Sequence, residues 1–339
     1  VNNSTSGTWS QGVEIRCGLN GEVYLVWAAP IRSAPFTEDF DGFAKSTNGG
    51  VSWSANENVF DANGIRGNLP TKGNIRVNSW PRMDVDKSGG QRNGWIYVVG
   101  CDKNLSPSGS DPDIIFHRST NGGATWSQAI RVNQDPLNNG AIQFFPAIVV
   151  DDNGGINIVY YDDRNVGGQQ TQVYVSRSTD GGNTWVDFQV SDHAFTVAPI
   201  PPSADFMGDY IGICYSNGKL WPFWMDNYSG NCQAWTTSVI ITGAEPISNE
   251  IPGEYSLSQN YPNPFNPTAV IKYTLPKQGL VKMAIYDILG KEVSSPVNEI
   301  KHAGTYEVVF DASGLTSGVY FYKLTAGDYL ETKKMMLIK

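Results

Sequence analysis

The string Ser46-Thr-Asn-Gly-Gly-Val-Ser-Trp53 returns as Ser119-Thr-Asn-Gly-Gly-Ala-Thr-Trp126 and again as Ser178-Thr-Asp-Gly-Gly-Asn-Thr-Trp185. A chain that repeats one short turn at wide spacing is built from repeated supersecondary units, and this restricts the fold more than any other feature. Each copy follows a strand-like run (Phe43-Ala-Lys45, Ile114-Ile-Phe-His-Arg118, Val173-Tyr-Val-Ser-Arg177) and precedes another, such as Ala129-Ile-Arg-Val132 or Phe188-Gln-Val190. Inside the string, Asn48, Asn121 or Asp180 can accept local backbone N–H groups, and the paired glycines supply positive φ. The Trp then lies on the next strand as an apolar anchor. The string reads as a folding device, not a catalytic one.

The remainder of the unit repeats as well. Phe145-Pro-Ala-Ile-Val-Val-Asp151 and Ile156-Asn-Ile-Val-Tyr-Tyr-Asp162 read as strand and strand around an Asn-Gly turn, as do Val13–Cys17 with Glu22–Trp27 and Tyr210–Tyr215 with Lys219–Trp224. Pro81–Asp86 and Gly94–Val99 give a further copy. Four strands per unit, in series, predict an all-β chain whose residues 1–242 form a β-propeller.

The recurrent string resembles the Asp-box, or BNR, repeat of the sialidase-like propeller superfamily, patterned S-x-D-x-G-x-T-W. Ser46, Asn48, Gly50 and Trp53, then Ser119, Asn121, Gly123 and Trp126, then Ser178, Asp180, Gly182 and Trp185 occupy its positions, with Asn for Asp in two copies. The resemblance places these strings on the face opposite a ligand site and implies six blades, against four visible units here. The last strand of a unit is expected to end in Val-Asn at Val77-Asn78 and Val132-Asn133 and in Val190-Ser191. The chain opens at the same phase with Val1-Asn2, so an N-terminally incomplete propeller is expected. A compact propeller closed by its own N-terminal strand is the alternative.

Charge separates the chain into two parts. Residues 254–339 carry nine Lys, no Arg and eight acids, whereas the ten Arg all lie earlier, where acids outnumber bases by ten. A linker is expected at 243–253, Gly243-Ala-Glu-Pro-Ile-Ser-Asn-Glu-Ile-Pro-Gly253. The overall charge of −9 leaves no Lys/Arg surplus for phosphates and argues against a nucleic-acid partner. No run of about 18 apolar residues is present, so no transmembrane segment is expected. Cys17, Cys101, Cys214 and Cys232 lack C-x-x-C spacing, and only three His occur, so neither a metal centre nor a cofactor is expected. Disulfide pairing and free thiols both remain open.

Residues that recur in every unit are structural, so the chemistry should lie where the repeat breaks. Asp102, Asp162, Asp163, Arg164 and Asp226 end the second strand of their units and read as loop anchors on the face where a ligand would sit. Unit-specific candidates on that face are Arg32, Glu38, Asp39, Arg82, His193, Asp205, Asp209 and Tyr210. A sialidase-type site needs arginines for a carboxylate, an acid for proton transfer and a Tyr/Glu nucleophile. The set Arg32, Glu38, Arg82, Asp163, Arg164, Asp209 and Tyr210 contains these types without defining a triad, and the family's Arg-Ile-Pro signature is unmatched. His117, beside Arg118, reads as a half-exposed strand residue.

Residues 254–339 alternate apolar and polar positions, as a small immunoglobulin-like β-sandwich should. Asn260-Tyr-Pro-Asn-Pro-Phe-Asn-Pro267, Ile285-Tyr-Asp-Ile-Leu-Gly-Lys-Glu-Val293, Leu315-Thr-Ser-Gly-Val-Tyr-Phe-Tyr-Lys323 and Lys334-Met-Met-Leu-Ile-Lys339 resemble, in order, the type A sorting domain of type IX secretion cargo. Pro262, Asn263, Pro264, Phe265, Asp287, Gly290, Gly318, Lys334 and Lys339 carry that resemblance. It implies export to the bacterial surface or medium, with the secretion machinery as partner. Two functions are then compatible with residues 1–242: a module that binds glycans or surface proteins or builds an extracellular assembly, or an exo-sialidase-type glycoside hydrolase.

Overall fold

The computed structural model describes residues 1, 7–34, 36–200, 205–241, 252–301 and 303–339. Most of the expected 243–253 linker, and His302, lie outside the described residues. The protein is all-β: the single helical piece among the described residues is a 3₁₀ turn at Pro70–Lys72. Two compact units divide the chain, Val1–Ser238 and Val239–Lys339.

The first unit is a series of antiparallel meanders. Strands β1 (Gln11–Cys17), β2 (Val23–Pro30), β3 (Glu38–Ser46) and β4 (Ser54–Gly64) form the first. A short hairpin, β5 (Gly67–Leu69) and β6 (Ile75–Val77), encloses the 3₁₀ turn. The second meander is β7 (Arg82–Val85), β8 (Ile96–Asp102), β9 (Asp113–Ser119) and β10 (Ile130–Arg131). The third is β11 (Gln143–Val150), β12 (Ile156–Asp162), β13 (Gln170–Ser178) and β14 (Val186–Gln189), with β15 (Phe195–Thr196) added to the start of β13. A fourth has three strands, β16 (Gly212–Ser216), β17 (Lys219–Asp226) and β18 (Gln233–Thr236). Two-sided burial explains the near-continuous apolar runs in β8 and β12, since each sheet packs on both faces. Tyr24, Val26, Phe43 and Phe60 of the first meander meet Met83, Val85, Ile96 and Val98 of the second in one core.

The recurrent turns follow one hydrogen-bonding scheme. Ser46, Ser119 and Ser178 each accept the N–H of the second glycine on Oγ, at 2.9, 2.8 and 2.8 Å. Asn48, Asn121 and Asp180 each accept, on Oδ1, the N–H four residues on, at 2.9, 2.9 and 3.0 Å. Asn serves as well as Asp because the scheme needs one oxygen acceptor, and its Nδ2 adds a donor to Ser52 or Thr125.

The turns also lock neighbouring meanders together. Gly123 and Gly182, at φ +87° and +93°, press so closely on Phe43 and Phe116 that a Cβ would come within 2.3 and 2.4 Å of the phenyl rings. Trp126 and Trp185 stand edge-on to the same rings, with centroids 5.1 and 5.2 Å apart. Lys45 donates to the Gly122 carbonyl at 3.3 Å, and Arg118 donates to that of Gly181 at 2.5 Å. The equivalent Arg177 precedes a meander without this turn, and it bends back to Asp151 and Asn157 of its own sheet.

One expectation about the repeat is corrected. Val77-Asn78 does not end the fourth strand of the first meander: β4 already finishes at Gly64, and Ile75–Val77 pairs with β5 instead. Gly67, at φ +85°, turns the chain out of the sheet before the Ile-Arg-Val-Asn string is reached. Among the described residues all four cysteines are free, Cys101 buried and the others exposed.

In the second unit, β20 (Ser256–Leu257), β21 (Thr268–Leu275) and β24 (Gly304–Asp311) form one sheet. In the other, β19 (Val239–Ile240), β23 (Glu292–Lys301), β22 (Gly279–Tyr286), β25 (Gly318–Ala326) and β26 (Tyr329–Leu337) lie in that spatial order. Ile271 and Tyr273 from the first sheet share a core with Met283, Tyr322 and Met335 from the second. Phe265 is buried and bonds through its backbone to Met336 and Ile338, while Asn263 Oδ1 accepts the Met336 N–H at 2.9 Å. Pro262 and Pro264 both follow cis peptide bonds. Lys339 Nζ donates to the Ser313 carbonyl at 2.5 Å, and the Lys334 carbonyl accepts from Gln259.

Candidate functional site

In a meander, the connection from second to third strand lies at the end opposite the recurrent turns, and there the β5–β6 hairpin leaves the sheet. Its 3₁₀ turn carries Lys72, whose side chain is fully buried. Lys72 Nζ donates to Asp163 Oδ2 at 2.5 Å and to the carbonyls of Gly168 and Gln170 at 2.6 and 2.8 Å. All three ammonium protons are therefore satisfied, which is what permits a buried lysine. The hairpin is pinned across this end onto the third meander. Asp163, a sequence candidate, is the receptor of that pin, with its Oδ1 taken by the Ile142 N–H at 2.6 Å.

Between the hairpin and the first meander lies a cleft of about 200 Å³, lined among others by Gln11, Phe36, Arg66, Arg76, Trp80 and Asp209. Gly12 shapes one wall: a Cβ there would fall 2.1 Å from Trp80 Cγ, so only glycine lets the indole lie against β1. Arg66 Nη2 donates to Gln11 Oε1 at 2.8 Å. Its Nη1 is buried, makes no hydrogen bond among the described residues, and stands 3.6 Å from Glu38 Oε1, too far for one. Arg76 Nη2 donates to both oxygens of Asp209, at 3.1 and 3.3 Å, and Asn78 adds a third contact. Next to the cleft, Arg82 pairs with Glu14 at 2.9 Å and lies over the Tyr210 ring, which also meets Trp80 at 5.6 Å. Tyr210 is 60% exposed.

Behind Arg66 sit three buried acids. Burial pushes Glu38 up to about 8 and Asp102 up to about 7, and it holds Asp41 well above the carboxylate range, with the neighbouring acids adding to the effect on Glu38 and Asp41. Glu38 is 1% exposed and accepts the Ser79 N–H at 3.3 Å. At pH 7 it is therefore protonated, and the Arg66 charge beside it is left uncompensated.

Of the sequence candidates, the structure brings Arg82, Asp209 and Tyr210 together and places Glu38 behind the same cleft. Arg32 is elsewhere, exposed and bonded through Nε to the Thr8 carbonyl at 2.6 Å. Asp39 is exposed and does not line the cleft, and the Asp205 carbonyl accepts the Arg76 N–H. Arg164 is a strut, bonded to Asp162 and Asp187 at 2.6 Å each. His193, between β14 and β15, stacks on Tyr228 and contacts Asp226 at 3.1 Å, at the end of β17 and the connection after it. His117 stacks on Phe60, and burial lowers it to about 4, keeping it neutral. Sequence reasoning missed Arg66, Arg76, Trp80 and Lys72. The signal for them was the long connection between Gly64 and Arg82.

These features define a repeat-built all-β unit with a polar, aromatic-walled cleft at one end, followed by a small two-sheet unit. Residues 259–339 match the family described as secretion system C-terminal sorting domain. The chain is thus cargo of the type IX secretion system, delivered outside the bacterial cell or onto its outer surface. No helix among the described residues is long and apolar enough to cross a membrane.

No curated protein matches the sequence. Solved structures similar to it include a protein of unknown function from Dyadobacter fermentans (14% identity, 98% of this chain and 95% of that one, TM-score 0.45). Others are the α-L-arabinanase of Penicillium chrysogenum complexed with arabinobiose (14%, 96% and 93%, 0.44) and the Trypanosoma rangeli sialidase in complex with sialic acid (12%, 97% and 54%, 0.43). At such identities and TM-scores these likenesses assign neither site nor substrate to this chain.

Proposed function

We propose that the exported first unit is a non-catalytic Asp-box β-propeller module with four units in this sequence, carried by an immunoglobulin-like sorting domain, and that it binds a glycan in the Arg66–Trp80 cleft. The carrying observation is a cleft walled by the Trp80 and Phe36 rings and lined by the Arg66 and Arg76 side chains. Sugars offer hydroxyl or carboxylate acceptors on their edges and C–H groups on their faces, which suits such a wall.

The hydrolase reading finds less support. A sialidase-type hydrolase needs a Tyr/Glu nucleophile pair and a separate acid facing the substrate. Here Asp209 is held by Arg76 and Asn78, and Glu38 is buried. The test uses the full chain against a glycan panel, with binding and turnover measured together. Micromolar binding, weakened at least about tenfold by Arg66→Ala or Trp80→Ala without product release, is expected for hot-spot contacts. Release of a sugar, abolished in Asp209→Asn or Tyr210→Phe, would establish the enzyme instead; neither binding nor turnover would remove both readings.

A further inference from the structure

The hairpin joining β22 to β23 ends in Asp287-Ile-Leu-Gly290, and its tip is built entirely by backbone and Asp287. Asp287 Oδ1 accepts the N–H of Leu289 at 2.9 Å and of Lys291 at 3.0 Å. The Gly290 N–H bonds to the Asp287 carbonyl, the Asp287 N–H bonds to that of Lys291, and Gly290 takes φ +80°. None of these bonds uses the side chains of Ile288 or Leu289. A turn of this kind is ordinarily filled with polar residues. Yet two large aliphatic side chains stand 70% and 88% exposed at its apex.

The sheet register extends the patch. Tyr286 pairs with Phe321, and Gly318 pairs with Leu337, so the tip projects from the same end of the sheet as the terminus of β26. Ile338, 50% exposed, lies there too. At the opposite end, beside the β25–β26 turn, Leu330 is 59% exposed without such company.

We infer that Ile288 and Leu289 form a preorganised apolar knob by which the folded sorting domain docks into an apolar recess of the type IX secretion machinery. The occupant follows from the match of residues 259–339: a domain whose role is to be sorted must present a surface to the machinery. Two aliphatic chains held on a hydrogen-bonded turn lose little conformational freedom on docking, which makes such a turn an efficient anchor. A knob of this kind reads the domain's fold, because it exists only once β22 and β23 are paired.

The experiment expresses the full chain in a bacterium with a type IX system and measures the fraction outside the cell envelope. Four variants accompany the parent: Ile288→Ser/Leu289→Ser, Leu289→Gln alone, Leu330→Ser, and a chain cut before residue 259. Exported protein should fall at least fivefold in the double variant, and by a smaller factor in Leu289→Gln, with purified variants melting within a few degrees of the parent. Leu330→Ser should be exported like the parent, and the cut chain should be retained. Export of both knob variants within twofold of the parent overturns the inference. So does an equal loss in Leu330→Ser, which would mark a general need for apolar surface, and so does full export of the cut chain.

Discussion

Replacing Glu38 by Gln should stabilise the first unit at neutral and alkaline pH, although it removes a side chain that contacts an arginine. Folded Glu38 keeps its proton up to about pH 8, whereas an unfolded glutamate loses it near about 4.3. Between those values folding takes up a proton, so stability contributed by this position is full below about pH 4.3 and drains away as pH rises toward 8. At about 1.4 kcal/mol per pH unit, the loss is about 4 kcal/mol by pH 7 and about 5 kcal/mol by pH 8. Gln carries no such linkage. Its Oε1 still accepts the Ser79 N–H, but its amide N–H₂ gains no partner, which costs about 1 kcal/mol. The variant should therefore match the parent at pH 5, exceed it by about 3 kcal/mol at pH 7, and by about 4 kcal/mol at pH 8. Asp102 and Asp41 drain stability with the same sign and remain in both proteins; because the Glu38 charge also raises Asp41, its removal eases that drain and adds to the gain in the same direction. The assay is urea unfolding followed by tryptophan fluorescence. All ten Trp lie at or before Trp235, so the signal reports the first unit alone. A variant no more stable than the parent at pH 8, or a difference that does not grow with pH, would refute the reasoning.

Further outcomes follow from the packing. Gly123→Ala, at φ +87° and against Phe43, should cost about 3 kcal/mol or more by overpacking; Gly50→Ala, at a similar φ with only Trp53 at 3.7 Å, should cost about 1–2 kcal/mol from backbone strain alone, both read as urea midpoints. Lys72→Met should cost about 3–5 kcal/mol because Asp163 is left buried and unpaired, and Lys72→Met/Asp163→Asn should recover part of it. Affinity for a carboxylate-bearing glycan should fall as pH rises through about 8, where Glu38 ionises and neutralises Arg66; Glu38→Gln should flatten that profile in a calorimetric titration.

The repeat made the sheets legible because each depends on local chemistry: two glycines, one Ser hydroxyl, one side-chain oxygen and a Trp. The strands of the second unit were legible by alternation for the same reason. What escaped was non-local. Lys72 looked like an ordinary loop lysine, and nothing near it in sequence announces Asp163, Gly168 or Gln170. The burial of Glu38 depends on Ser79 and Arg66 arriving from a segment that breaks the repeat. Asp209 and Tyr210 were recognisable as unit-specific, yet their partners Arg76, Arg82 and Trp80 come from more than a hundred residues away.

The string Ile-Arg-Val-Asn shows why repetition alone cannot separate struts from sites. At Ile130–Asn133 the arginine is bound on one side by Asp113 at 2.6 Å and on the other by Asp135 at 3.0 Å. Asn133 meets those same two acids, at 2.8 and 2.7 Å. That copy is a closed network, with every donor answered inside the second and third meanders. At Ile75–Asn78 the same four residues sit on an excursion rather than in a sheet, and their acids arrive from the far connection at Asp209. Arg76 is accordingly half-exposed, its guanidinium over Phe206 and its open side on the cleft. Identical local sequence thus yields a strut where the sheet surrounds it and a cleft wall where the hairpin lifts it out. The hairpin, pinned by one buried lysine, is what converts a structural repeat into an open polar cleft.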